Sequence, residues 1–371
     1  MVVAEGKGWA EALRAYRHPK VLTLFFLGFS AGLPLLLIFS TLSLWLRDAD
    51  VDRSTVTYFS WAALGYSLKF IWAPIVDRLP LPLLTAQLGR RRSWLLLAQL
   101  SIIGAIVWMA FTDPAEHLTL MAFAAVLLGF SGATQDIVID AYRIESANRE
   151  LQALMASTYI AGYRIGMLVA GAGALKWAVR LGGAGGYNYP AWQWTYLCMA
   201  AVMLVGVITT LRVPEPEVVT VQKTAFRSTA DYLRFLLLFV VLVSAFAVSF
   251  FLARDWFGMV GELFVDHVGL DHLAAGFLAE MLRLLLSVVL TFLVARFLVS
   301  LGLVQGAVLR ETYLDPVADF FRRYGRIALL ILLLVGLYRV SDIVLGVISN
   351  VFYQDVGFSK DQIADITKTF G

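Results

Sequence analysis

Two acidic residues inside an apolar segment are the feature of this sequence best suited to chemistry. Asp136 and Asp140 lie four residues apart in the segment 118–142, so on a helix they share one face, and Arg143 continues that face. Ionisable side chains in such segments are costly and usually functional. Two neighbouring carboxylates do not both ionise cheaply, so one of them could carry a proton. The alternative is structural, as a salt bridge with Arg164 or as two residues at a helix end.

Further polar side chains occur within the other apolar segments. The basic ones could bind an anionic substrate in a wet cavity, and the tyrosines could stack on sugar rings while donating a hydrogen bond. The same residues could equally be inert ion pairs or interfacial tyrosines. The predicted substrate-binding set is Lys69, Gln135, Tyr159, Tyr163, Arg164, Tyr338, Arg339 and Asp342.

Long apolar segments must position these residues. Only 15 % of the residues are charged, against about 25 % in soluble domains, so lipid must cover much of the surface. The apolar runs are continuous rather than alternating, which favours helices over a barrel, and each spanning helix needs about 20 residues. The sequence therefore predicts an all-α polytopic membrane protein. The nine predicted spans lie near 21–46, 55–76, 93–111, 118–142, 152–175, 191–211, 232–253, 276–304 and 327–353.

Lysine and arginine are distributed unevenly among the connections. With a cytoplasmic N-terminus, the inner connections carry most of the basic residues and the outer connections collect acids. The first apolar segment is too long for a signal peptide and lacks a cleavage site, so we expect it to remain as the first helix.

The order of the segments predicts five parts. Residues 308–325 include Phe320, Phe321, Arg322 and Arg323, and they predict an amphipathic helix on the cytoplasmic membrane surface. A capping-box spacing at 359–362 predicts a helix start close to the last residue, so we expect this chain to be a fragment. The predicted parts are a six-helix bundle (1–212), a cytoplasmic linker (213–231), an extra transmembrane hairpin (232–304), an amphipathic cytoplasmic segment (305–325) and the start of a second bundle (326–371).

A basic connection follows the second predicted span. It contains Asp77-Arg78 and, after an insert, Gly89-Arg90-Arg91-Arg92. This pattern resembles the G-x-x-x-D-R-x-G-R-R loop of the major facilitator superfamily, and the resemblance implies a latch that closes two bundles on the cytoplasmic side. Simple anchoring by positive residues is the alternative. The predicted cytoplasmic gate is Asp77, Arg78, Arg90, Arg91, Arg92 and Arg143.

At the fourth predicted span the resemblance becomes more specific. The run ATQDIVIDAYR at 133–143 resembles the AmpG-type muropeptide permeases, as do LGFSAGLP at 27–34, KFIWAP at 69–74 and GYR at 162–164. The likeness covers 20–212 and 326–371, and the hairpin between them matches only in being extra.

That resemblance implies a major facilitator fold with a complete N-terminal six-helix bundle, two extra central helices and a truncated C-terminal bundle. It also implies proton-driven import of anhydro-muropeptides across a Gram-negative inner membrane for peptidoglycan recycling. The proton motive force would supply the energy without a cofactor. The expected partners are the muropeptide, protons and the lipid bilayer, with no nucleic acid, and the expected state is a monomer.

Two other functions stay open at this point. One is a related transporter of another anionic solute, such as acetyl-CoA or a siderophore. The other is a membrane-embedded enzyme that modifies lipids or glycans, which would need a nucleophile, a base or a metal site near one membrane face. No such set converges in the sequence, no metal site is expected, and the four histidines fall in predicted tails or loops. Glu280 and Arg283, three residues apart, are expected to pair with each other.

Overall fold

The described part of the chain in the computed structural model consists of helices joined by turns and short connections, and it contains no strand. It describes residues 16–59, 62, 64–183, 186–216, 229–302, 310, 315–338, 352–353, 356–359 and 362. The described helices of ten residues or more are α1 (Pro19–Leu36), α2 (Arg90–Ala110), α3 (Leu118–Ser146), α4 (Arg149–Leu168), α5 (Tyr189–Arg212), α6 (Thr229–Leu252), α7 (Arg254–Val268), α8 (His272–Ser300), α9 (Asp315–Tyr324) and α10 (Ile327–Tyr338). The prediction of an all-α chain is confirmed.

The described helices account for most of the predicted spans. Six are long and apolar enough to cross a membrane, and a pair bent by 47° would make a seventh. The six are Pro19–Asp48, Arg90–Ala110, Leu118–Ser146, Leu151–Gly182, Tyr189–Arg212 and Ala274–Ser300, and the bent pair is Leu237–Leu252 with Arg254–Val268. The last predicted span begins as α10, and residues 339–351 lie outside the described part of the chain.

The chain divides into two compact units, Met1–Thr220 with Leu329–Gly371, and Val221–Ala328. The first unit contains α1 to α5, and its buried core is formed mainly by α2, α3 and α5 with residues of the segments 33–46 and 170–178. The second unit contains α6 to α9. The five predicted parts of the chain stay a prediction.

Glycines bring α1 and α4 into close contact. A Cβ atom on Gly28 would lie 2.3 Å from the carbonyl oxygen of Tyr159, and one on Gly162 would lie 2.0 Å from that of Phe25. Gly32 and Gly166 make equivalent approaches one turn further along. Small residues at this spacing let two helix backbones approach where any side chain would hold them apart. We call these four glycines the α1–α4 seam.

Beyond the seam, both helices continue through π-helical segments, Leu37–Thr41 after α1 and Val169–Gly173 after α4. A π-helical turn leaves a backbone carbonyl without its usual helical partner. The Thr41 hydroxyl donates to the carbonyl of Ala170 at 2.7 Å, and the buried Tyr196 hydroxyl of α5 donates to the carbonyl of Leu37 at 3.0 Å. Side chains of neighbouring helices therefore satisfy the irregular backbone.

Aromatic rings fill the core next to these segments. The rings of Trp45 and Trp192 stack with centroids 5.7 Å apart, and the Trp192 indole N–H donates to the Asp48 carboxylate at 3.0 Å. In the adjoining loop the Tyr187 hydroxyl donates to the carboxylate of Asp113. Partial burial, together with that carboxylate, raises the pKa of Tyr187 above its usual value. This end of the unit is thus held by both stacking and hydrogen bonds.

The second predicted span does not form one continuous helix. The described part of 53–78 contains short α-helices at Arg53–Tyr58, Leu64–Leu68 and Ala73–Arg78, with a 3₁₀ turn at Lys69–Ile71. Pro74 has no N–H for the carbonyl four residues earlier, and its ring clashes with that carbonyl, so an α-helix cannot run regularly through this point. The span predicted near 55–76 is therefore an interrupted helix in its described part.

The second unit corrects another prediction. Residues 254–268 were expected to belong to an outer loop, but they form α7, which ends at Gly269 in the left-handed conformation with φ +71°. His267 therefore lies in a helix, and His272 begins α8. Within α8 the guanidinium of the buried Arg283 pairs with Glu280 at 2.5 Å and lies 3.9 Å from the ring centre of Phe250. The expected pairing of these two residues is confirmed.

Candidate functional site

Asp136 lies inside the first unit, ten residues before the end of α3. Its side chain is 13 % exposed, and one carboxylate oxygen lies 3.9 Å from the ammonium nitrogen of Lys69, which is 34 % exposed. The Tyr159 hydroxyl of α4 lies 3.5 Å from the other carboxylate oxygen. The Lys69 ammonium, from the 3₁₀ turn in the second predicted span, thus lies beside an acid of α3. We call Lys69, Asp136 and Tyr159 the ionic site.

Two more tyrosines lie around the ionic site. The Tyr163 ring centre is 6.0 Å from that of Tyr159, one turn away on α4. A Cβ atom on Gly132 would lie 2.2 Å from the Tyr66 hydroxyl, so this glycine makes room for the phenol one turn before Asp136. The Tyr66 hydroxyl is buried and has no hydrogen-bond partner in the described part of the chain. A cation, a carboxylate and three phenols therefore lie close together.

Asp140 has a very different environment from Asp136. Its side chain is 53 % exposed, and it pairs at 3.3 Å with Arg143 on the next turn of α3. Exposed pairs of this kind contribute little to stability. Although the two acids share a helical face, only Asp136 is largely enclosed. The sequence could not distinguish the two positions.

The remaining described residues of the predicted substrate-binding set differ in burial. Gln135 is fully buried, and neither polar atom of its amide has a partner among the described residues. Arg164 is exposed and makes no ion pair within the described part, so the alternative of an Asp136–Arg164 salt bridge finds no support. Tyr338 ends α10 with 67 % of its surface exposed. Arg339 and Asp342 lie outside the described residues.

Three of the predicted gate residues, Asp77, Arg90 and Arg91, meet Glu145 at the C-terminal end of α3. Arg91 is nearly buried, and its guanidinium donates to Asp77 at 2.7 Å and to both carboxylate oxygens of Glu145 at 2.6 and 2.8 Å. Arg90 reaches the same Glu145 at 3.4 Å. This geometry is a bidentate, charge-assisted pairing extended by a second acid. It ties the second predicted span to α2 and α3.

Glu215, just beyond α5, completes this arrangement. Its carboxylate accepts hydrogen bonds from the backbone N–H groups of Arg91 and Arg92 at 2.7 and 3.0 Å, which are free donors at the N-terminus of α2. Its negative charge also interacts favourably with the positive end of the helix dipole. Gly89 has φ +86°, and a Cβ there would lie 2.4 Å from the Glu215 side chain. We call Asp77, Arg91, Glu145 and Glu215 the arginine cluster.

The arginine cluster differs from the expected latch in what it joins. In the described residues its members all belong to the first unit, so the contacts hold that unit together. Arg92 donates to the carbonyls of Thr210 and Leu211 at the end of α5, at 3.0 and 2.7 Å. Arg143 pairs with Asp140 instead of joining the cluster. The side chain of Arg78 lies outside the described part.

Sequence reasoning missed Glu145 and Glu215. Glu145 follows the fourth-span motif on the face that continues from Tyr142, and Glu215 lies in the helix stop VPEPE. The sequence did contain a signal for both acids. Three consecutive arginines at a helix start need nearby acids, and Glu145 and Glu215 lie at the ends of α3 and α5. In the described part, no group of three or more His, Cys, Asp and Glu side chains could hold a metal ion.

Comparison with known proteins gives matches along most of the chain. The sequence model of the Major Facilitator Superfamily matches residues 24–358. The anhydromuropeptide permease of Escherichia coli K12 is 35 % identical over 316 residues, which cover 80 % of this chain and 61 % of that protein. A Rickettsia conorii protein named "Putative transporter AmpG 4" is 28 % identical over 358 residues, which cover 96 % of this chain and 65 % of that protein. The chain thus spans less than two thirds of the length of these curated relatives.

Proposed function

Because the chain belongs to the major facilitator superfamily, a family of transporters that includes its AmpG-type relatives, we propose that it acts as a proton-coupled permease for anhydro-muropeptides. In this proposal the protein is a monomer in the inner membrane of a Gram-negative bacterium, with its N-terminus in the cytoplasm. It imports the muropeptides for peptidoglycan recycling and uses the proton motive force without a cofactor. The family itself sets aside the alternative of a lipid- or glycan-modifying enzyme.

The observation that carries the proposal is the ionic site. A lysine and an aspartate 3.9 Å apart in a membrane bundle neutralise each other while both are charged. When a proton from the outside binds the Asp136 carboxylate, the acid becomes neutral and the Lys69 ammonium loses its partner. The ammonium can then pair with a carboxylate of the substrate. Release of the proton to the inside restores the Lys69–Asp136 pair and displaces the substrate.

The surrounding phenols suit the sugar part of a muropeptide. Tyr66, Tyr159 and Tyr163 offer aromatic faces and hydroxyl donors beside the charged pair. A muropeptide combines a disaccharide with an anionic peptide, so it needs both kinds of contact. The name of the Escherichia coli relative, anhydromuropeptide permease, agrees with this choice of substrate. Transport of another anionic solute remains the second hypothesis, since a lysine and an aspartate alone do not select the sugar.

The arginine cluster has a separate role in this proposal. It holds the ends of the second predicted span, α2, α3 and α5 together, so that the first bundle moves as one body during alternating access. The Asp77 side chain is 44 % exposed, against 20 % for Glu145. In this proposal Asp77 forms and breaks contacts with a second bundle on the cytoplasmic side.

The proposal is tested by separating proton coupling from exchange. In right-side-out membrane vesicles, Asp136→Asn should abolish uptake of labelled anhydro-muropeptide driven by a pH gradient, yet keep counterflow exchange, because exchange needs no net proton movement. Asp140→Asn should retain uptake within a few-fold, since its carboxylate is solvated. Uptake and proton movement at parental rates in Asp136→Asn would contradict the assignment. Parallel assays with labelled acetyl-CoA and a siderophore test the second hypothesis.

A further inference from the structure

The amphipathic helix α9 has an apolar stripe without a partner in the described part of its unit. Val317, Phe320, Phe321 and Tyr324 recur at the spacing of one helical face, and at 100° per residue they occupy an arc of about 100°. Their rings contact one another, with centroids of 5.7 Å for Phe320–Phe321 and 5.1 Å for Phe320–Tyr324. Phe320 is half-buried, and the other three side chains are exposed.

Charged residues surround this stripe in an ordered way. Arg322 and Arg323 flank it on opposite sides in the last turn of α9, and Arg326 follows in the turn after the helix. The acids lie on the polar face, where Asp319 pairs with Arg323 at 2.7 Å and Asp315 with Arg310 at 3.4 Å. Arginines beside an apolar stripe can extend their guanidinium groups to phosphates while their stems lie on lipid.

The chain leaves α9 directly into an apolar helix. Only Gly325, with φ +53°, and Arg326 separate Tyr324 from α10, and α10 is apolar throughout. The connection is too short to carry α9 away from the membrane boundary at which α10 begins. Both the place of α9 along the chain and its pattern of aromatic and basic residues fit a lipid–water interface.

We propose that α9 lies in the membrane interface and binds anionic phospholipid headgroups through Arg322, Arg323 and Arg326. Val317, Phe321 and Tyr324 enter the acyl boundary, and the guanidinium groups contact lipid phosphates. Each arginine near an anionic membrane surface raises the affinity for that surface by about fivefold. This site shares no residue with the ionic site, and its occupant is the bilayer of the leaflet in which α10 begins.

Lipid-carried quenchers test this proposal on the full chain. A fluorophore is attached to Phe321→Cys in a Cys198→Ala background, and the protein is reconstituted in phosphatidylcholine vesicles. Equal small amounts of nitroxide-labelled phosphatidylglycerol or phosphatidylcholine are then added. We expect quenching by both lipids, with phosphatidylglycerol several-fold more effective, and we expect this preference to fall towards one when Arg322→Gln and Arg323→Gln are combined.

Arg254→Gln, which removes an exposed arginine at the start of α7 in the same unit, is the matched control and should leave the preference unchanged. Absence of quenching by either lipid would mean that water or protein covers the stripe, and it would overturn the interfacial placement. Equal quenching by the two lipids in the parent protein would overturn the assignment of anionic headgroups.

Discussion

Gly162→Ala would place a methyl carbon 2.0 Å from the carbonyl oxygen of Phe25 at the α1–α4 seam. Ordinary contacts of a Cβ begin near 3.4 Å, so the two backbones would have to separate by more than an ångström. Neither atom lies at the end of a flexible side chain, and the rest of the seam would lose dispersion contacts as the helices part. We expect the free energy of unfolding to fall by about 2–3 kcal/mol.

The matched control is Gly104→Ala in α2, where the added methyl group meets no atom within 4 Å. This change should be neutral or stabilising by up to about 1 kcal/mol, because alanine favours a helix over glycine. Unfolding by sodium dodecyl sulfate in mixed micelles, followed by tryptophan fluorescence, measures both variants. Adding Gly28→Ala to Gly162→Ala should cost less than the sum of the single changes, since the helices have already separated. Equal stability of Gly162→Ala and Gly104→Ala would refute the close packing of α1 on α4.

Two further predictions concern charge. Arg91→Gln should lower the free energy of unfolding by about 3–5 kcal/mol, because it leaves Glu145 without its bidentate partner. The control is Arg323→Gln, which removes an exposed ion pair and should change the free energy of unfolding by less than about 1 kcal/mol in the same assay. Tyr187 has a raised pKa in the folded protein, so its contribution to stability is complete below the unfolded pKa of about 10 and disappears as the pH rises through the folded value. The free energy of unfolding should therefore fall less steeply between pH 9 and 12 in Tyr187→Phe than in the parent protein. An unchanged pH profile would show that this phenol contributes nothing to the pH dependence of stability.

The helices could be predicted largely from hydropathy, but their interruptions could not. Continuous apolar runs were enough for α2, α3 and α5, because lipid demands a minimum helical length. The break before Pro74 could have been predicted from the proline itself, but a count of apolar residues does not consider it. Helix α7 was missed for a related reason: its acids and His267 suggested a loop, while the apolar residues between them follow a helical period.

The candidate site could be predicted by residue type more than by partner. The sequence indicated that Asp136 and Lys69 are ionisable groups in apolar segments, and the structure brings them together. Sequence reasoning instead placed Arg164 beside the acids, because spacing along one helix says nothing about which helices are neighbours. The same gap explains why Glu145 and Glu215 were not connected to the arginines.

The position of Glu215 has a consequence for biosynthesis. The first free N–H groups of α2 are made long before residue 215 leaves the ribosome, so this helix end stays uncapped until all of α5 has been synthesised. The capping of α2 thus has to wait for an acid that lies beyond the last helix of the first bundle. A nascent chain ending before residue 215 and one ending well after it differ by two backbone hydrogen bonds and by the carboxylate at the N-terminus of α2.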